Sequence, residues 1–347
     1  MKKLLGTTAI TLALGVSPAF AQQSDIEQRL DGVQDAINTI TTKDGGSGVE
    51  QSSTNLGNLI NMIDDAGTPN LPRDDVGEIL NDVLQVDNSI QKSGNTFFVG
   101  QTQSASDIDQ DALNASNSAN AQQIDTVRQV VGNKADVRLG DQRASNVVTS
   151  KTFNDIDQAA TNLTNTVRVT DDIEVSVSQE IGSDVDQRAS NTIQQRDGKG
   201  RVGSASDLNQ EAANVGNSVQ ASTTSTNEVE ALTQSATGNT QSARNDIDID
   251  EDQYVDPNAT TANADPDLQT TSGLGVISDV SQSSSNALNI VNVDENLNTA
   301  NQSGFNVSQG ASNKVDFLAS LDDTDQNASN FLNQISTSTL ETRTSQS

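Results

Sequence analysis

The stretch Asp184-Val185-Asp186-Gln187-Arg188-Ala189-Ser190-Asn191 decides how the chain is read. Its core is a Gln, a small residue two positions on, and an Asn two further on. The core recurs as Gln110/Ala112/Asn114, Gln142/Ala144/Asn146, Gln158/Ala160/Asn162 and Gln210/Ala212/Asn214. It returns as Gln282/Ser284/Asn286, Gln302/Gly304/Asn306, Gln309/Ala311/Asn313 and Gln326/Ala328/Asn330. Gln129/Val131/Asn133 is a looser copy, and Gln234/Ala236/Asn239 carries one extra residue. Recurrence of this kind marks a repeat architecture and is read before any local signal.

The flanks recur too. An aliphatic residue stands two before the Gln at Ile108, Ile156, Val185, Leu208, Val280 and Val307. A second Asn stands three after the first at Asn117, Asn165, Asn217, Asn289 and Asn333, and an aliphatic follows it at Val167, Val219, Val291 and Ile335. Steps of two place side chains on one face of a strand, and a step of three inside that alternation marks a bend. The expected fold class is mainly β, an irregular β-solenoid of strand-arc-strand rungs. Equivalent Gln residues such as Gln187 and Gln210 lie 23 apart, which predicts a rung of about twenty residues with two strands.

Stacked rungs lie about 4.8 Å apart, so each Gln would cover a Gln and each Asn an Asn, with amide-to-amide hydrogen bonds along the stack. The ladder residues expected are Gln110, Asn114, Gln142, Asn146, Gln158, Asn162, Gln187, Asn191, Gln210, Asn214, Gln282, Asn286, Gln309, Asn313, Gln326 and Asn330. A polar, low-complexity linker would also be rich in Gln and Asn, but it has no need of a fixed aliphatic before the Gln or a small residue after it.

Composition agrees. The 347 residues are 32% hydrophobic and 2% aromatic, too little for a wide apolar core. The formal charge of −29 argues against nucleic acid and anionic membranes as partners. With no Cys and no His, disulfides, thiolate metal sites and the commonest general base are excluded.

Lys2 and Lys3, the apolar run Leu4–Val16 and the Ala19-Phe20-Ala21 ending read as a bacterial secretory signal peptide over residues 1–21. Its removal takes the charge to −29 − 2 = −31. Residues 22–94 are expected to form a small α-helical N-terminal region. Ile26, Leu30, Val33, Ile37 and Ile40 follow steps of four and three, as do Leu56, Leu59, Ile60 and Ile63, and Val76 to Leu84 suggest a third helix. The repeat region then spans 95–347, with a loop insertion at about 246–272 where acidic residues and Pro257 and Pro266 interrupt the pattern.

The repeat resembles that of the curlin family, secreted subunits of bacterial amyloid-like fibres. Gln234-Ser235-Ala236-Thr237-Gly238-Asn239 has that family's spacing of Gln, small residue and Asn. Most units here place Gln and Asn four apart with Ala in place of Gly. The resemblance spans about residues 105–335 and implies an extracellular β-solenoid that nucleates or joins fibres.

No residue set looks catalytic, so no enzyme is expected. Asp107/Asp109, Asp155/Asp157, Asp184/Asp186 and Asp246/Asp248/Asp250 are Asp-x-Asp pairs that suggest solvated faces, with Ca²⁺ as the alternative; they lack the Gly and closing Glu of an EF-hand loop. No cofactor is implied. The reading is a secreted structural protein at the bacterial cell surface that self-associates or joins matrix proteins, with an export pore as a further partner and no membrane span. The alternative is a monomeric adhesin or holdfast-anchor component displaying loops on the same scaffold.

Overall fold

The computed structural model describes residues 25–43, 45–62, 79–99, 104–121, 123–131, 141–150, 152–169, 174–183, 185–195, 205–221, 228–249, 276–317, 320–340 and 344–346. Nearly all of them are in strands, every strand pairing is parallel, and no helix occurs among them. The signal peptide expected at 1–21 lies outside the described residues.

The strands are β1 (Asp25–Thr42), β2 (Gly46–Met62), β3 (Ile79–Val99), β4 (Ser104–Ala121), β5 (Gln123–Val131), β6 (Gln142–Ser150), β7 (Thr152–Leu163), β8 (Thr166–Val169) and β9 (Glu174–Ile181). They continue as β10 (Asp186–Gln195), β11 (Ala205–Ala221), β12 (Glu228–Thr237), β13 (Thr240–Ile249), β14 (Val276–Phe305), β15 (Ser308–Phe317), β16 (Ser320–Leu340) and β17 (Thr344–Gln346).

Pairing skips alternate stretches of chain. One wall runs β1, β3, β5 with β6, β9 with β10, β12 with β13, then the end of β14 with β15, and begins again at β17. The other runs β2, β4, β7 with β8, β11, the start of β14, and β16. The chain therefore passes from the first wall to the second and back, making six solenoid-like coils. Stacked residues lie 44 to 72 positions apart in sequence. The expected rung of about twenty residues is corrected by this. The 23 residues from Gln187 to Gln210 lead from one wall to the other within a coil, and Gln187 stacks on Gln241, 54 residues on.

The helical N-terminal region is also corrected. Residues 25–42 and 46–62 are β1 and β2, which form the first coil, and β3 runs through positions 94 and 95 without a break. Val33 and Ile37, members of the supposed helical stripe, are exposed, as are Leu56 and Leu59. The residues that matter are Gln34/Ala36/Asn38, Gln51/Ser53/Asn55 and Gln91/Ser93/Asn95, copies of the repeat core at period two. Their register against neighbouring coils overrides local helix propensity. The acidic start of the expected loop insertion, Asp246–Ile249, belongs to β13 and pairs with β15; the insertion from 250 to 272 lies outside the described residues.

The interior is apolar at its two margins and narrow at its middle. One margin gathers Ile60, Val167, Val219, Leu232 and Val291. The other gathers Phe97, Ile108, Phe153, Ile156, Leu208 and Ile247. Between them Ala112, Ala160 and Ala212 of the second wall meet Ala144, Ala189 and Ala243 of the first. Alanine is what permits the walls to approach so closely. The substitution Ala189→Leu adds volume to this column and is expected to cost about 1–3 kcal/mol by overpacking, read as a lower urea midpoint, whereas the same change at the outward Ser190 leaves the midpoint nearly unchanged.

Candidate functional site

The chemical groups that distinguish this interior are side-chain amides in six columns. In three, Gln Nε2 donates to the Gln Oε1 of the preceding coil. The first contains Gln28, Gln85, Gln129, Gln179, Gln234 and Gln302. The second contains Gln34, Gln91, Gln142, Gln187, Gln241 and Gln309. The third contains Gln51, Gln110, Gln158, Gln210, Gln282 and Gln326.

The Asn columns run the other way, each Nδ2 donating to the Oδ1 of the following coil. They are Asn38, Asn95, Asn146, Asn191, Asn245 and Asn313; Asn55, Asn114, Asn162, Asn214, Asn286 and Asn330; and Asn58, Asn117, Asn165, Asn217, Asn289 and Asn333. The interior links are 2.8–3.0 Å for Asn162 to Asn214 and Asn146 to Asn191.

A primary amide has two N–H donors, and the second crosses the core. Asn146 Nδ2 donates to Ala159 O at 2.7 Å, Gln142 Nε2 to Leu163 O at 2.8 Å, and Asn191 Nδ2 to Glu211 O at 2.6 Å. Gln234 and Asn217 do this towards each other: Gln234 Nε2 donates to Asn217 O at 2.8 Å, and Asn217 Nδ2 to Ser235 O at 2.9 Å. The columns thus join coil to coil and wall to wall, and they leave few buried polar groups unpaired.

All sixteen Gln and Asn positions expected from the sequence fall in these columns, but they are sorted by wall. Gln142, Gln187 and Gln309 with Asn146, Asn191 and Asn313 belong to the first wall. Gln110, Gln158, Gln210, Gln282 and Gln326 with Asn114, Asn162, Asn214, Asn286 and Asn330 belong to the second. The copy Gln302/Gly304/Asn306 is only half a ladder unit: Gln302 is in a column, while Asn306 turns the chain with φ of 52°. Besides the N-terminal copies, sequence reasoning missed Gln241/Ala243/Asn245, where the same spacing was the available signal.

The bends have their own columns. Asn165, Asn217, Asn289 and Asn333, the second Asn of each unit, have φ between 40° and 57°. Asp107, Asp155, Asp207, Asp279 and Asp323 have φ between 50° and 56°, and Gly48 holds the matching place in the first coil at 64°. Short polar side chains and Gly tolerate this left-handed backbone. The first Asp of Asp107/Asp109 and Asp155/Asp157 is therefore a corner residue. Asp186 and Asp246 pair with Arg188 and Arg244, each at 2.5 Å. The neighbours Asp111, Asp157 and Glu50 add to desolvation in pushing the Asp109 carboxyl up. Among the described residues no three acidic side chains are grouped to hold a metal ion.

One corner departs from its column. Coils three to five carry Val131, Ile181 and Ala236 there, and the second coil carries Asp87, fully buried. The Ser89 N–H donates to Asp87 Oδ1 at 2.7 Å, while Oδ2 has no hydrogen-bonding partner within the protein. Burial pushes this carboxyl up.

No family model, curated protein or solved structure matches the chain.

Removing an interior amide strands its neighbours. Asn162→Ala is expected to cost about 1–3 kcal/mol because Asn114 and Asn214 lose a partner in a buried setting, while Asn330→Ala at the exposed end costs much less; urea unfolding of both variants checks the difference. At the corners, Asp207→Gly is expected to be nearly neutral and Asp207→Val to destabilise by about 1–3 kcal/mol, since a β-branched residue resists positive φ; thermal unfolding reads this.

Proposed function

We propose that this is a secreted structural protein, a curli-like subunit or nucleator that joins end to end in extracellular fibres or biofilm matrix. The observation that carries the reading is the state of the two end coils. Among the described residues, the columns from Gln34 to Gln309, Gln51 to Gln326, Asn38 to Asn313 and Asn55 to Asn330 stop with hydrogen-bonding groups pointing outward. At the first coil Gln Nε2 donors and Asn Oδ1 acceptors face away from the stack; at the sixth, Gln Oε1 acceptors and Asn Nδ2 donors do. These sets are complementary.

The apolar surface has the same distribution. All large apolar side chains left exposed among the described residues lie on the end coils: Val33, Ile37, Ile40, Leu56 and Leu59 on the first, Phe305, Phe331 and Leu332 on the last. Leu56 and Phe331 occupy one column, through Ala115, Leu163, Val215 and Ala287. A repeat protein that works as a monomer covers such ends with polar caps, and open parallel edges template further strands. A second copy placed with its sixth coil against the first coil continues these four columns, the backbone pairing beside them and the apolar contacts.

Electron microscopy and fibre diffraction of the purified protein lacking residues 1–21 test the proposal. Unbranched fibres with a meridional repeat of about 4.7–4.8 Å are expected. A protein that stays monomeric and dye-negative at high concentration would overturn fibre assembly and favour the adhesin reading.

A further inference from the structure

From the strand register at the sixth coil, and resting on the end-to-end reading above, we infer that β17 is a self-cap, which β1 of an incoming copy must displace to complete the joint. β17 pairs in parallel with the end of β14, placing Thr344 on Ala300, Ser345 on Asn301 and Gln346 on Gln302. Each of these positions can be followed back, pairing by pairing, to β1. Ala300 lies over Leu232, Val177, Val127, Val83 and finally Ile26. Gln302 lies over Gln234, Gln179, Gln129, Gln85 and finally Gln28. A copy stacked with its first coil on the sixth therefore brings Ile26, Glu27 and Gln28 to the positions that Thr344, Ser345 and Gln346 hold. Two strands cannot occupy one edge.

The overlap is partial, which makes the cap displaceable. Beyond it in the chain, Gln309 and Asn313 of β15 end their columns, and these are the places for Gln34 and Asn38 of the incoming copy. The incoming β1 seats there first and then advances along β14 towards its own start. The two competitors differ in residue type. At the Ala300 column the interior coils carry Val83, Val127, Val177 and Leu232, all buried in one apolar margin, and Ile26 packs against that margin. The tail brings Thr to this position and Gln to the other. The incoming strand therefore equals the tail at the Gln column and exceeds it at the apolar one, where burial of hydrocarbon favours it. An open strand edge accepts any strand that fits its register. A weak strand of the same chain held over part of that edge restrains joining without forbidding it.

Seeded fibre elongation of the chain lacking residues 1–21 tests this for wild type, Thr344→Ile and the double variant Thr344→Pro/Ser345→Pro. Proline removes backbone donors and does not continue a paired strand, so the double variant is expected to free the edge and elongate faster than wild type. Thr344→Ile gives the tail the residue type of the incoming strand and is expected to slow elongation about fourfold, the factor that one buried methylene is worth. Amide hydrogen exchange gives an independent readout: Ser345 and Gln346 of wild type are expected to lose protection on passing from monomer to fibre. Equal elongation by all three proteins, or a tail that stays protected in the fibre, would overturn the cap and leave end-to-end joining standing. Absence of fibres for wild type and both variants would overturn the end-to-end reading, and this inference with it.

Discussion

The structure depends on a hydrogen bond between identical side-chain amides one coil apart. An amide donates and accepts along one line, so a column of them extends without limit and has a direction. The parallel backbone pairing supplies the spacing, and the amides supply the register. A slip by one residue would turn every Gln and Asn of a strand out of the core, so the columns and the strand pairing specify each other.

This arrangement replaces much of the apolar filling that a chain of this composition lacks. The margins of each coil retain Ile, Leu, Val and Phe, and the middle closes on alanine. Amides beside the alanines are buried, yet their second N–H reaches a carbonyl of the opposite wall, as Asn146 does to Ala159. Buried polar groups are costly when unmet and specifying when met. Here they fix which strand lies over which.

Opposite polarity of the Gln and Asn columns gives the two ends distinct chemistry. Among the described residues β17 covers Ala300–Gln302 of the sixth coil, and exposed apolar side chains concentrate on both end coils. The buried Asp87 is the exception in a corner column otherwise apolar or Gly, with Leu30 before it and Val131 after it.

The Gln-small-Asn spacing by itself determined that the chain is largely β, that its amides point inward, and that Asn217 and its equivalents mark bends, because side-chain alternation and the step of three are local properties of a strand. The tertiary structure decided what stacks on what. Gln187 could have met Gln210, its neighbour in sequence, but the connection between them crosses to the other wall, and its partner is Gln241. It likewise decided the N-terminal segment: the steps of three and four at Ile26 to Ile40 satisfy a helix taken alone, whereas pairing of Asp25–Thr42 with Asp82–Val99 selects the strand. Local spacing records which face a side chain takes; only the closed coil brings together residues 44 to 72 positions apart.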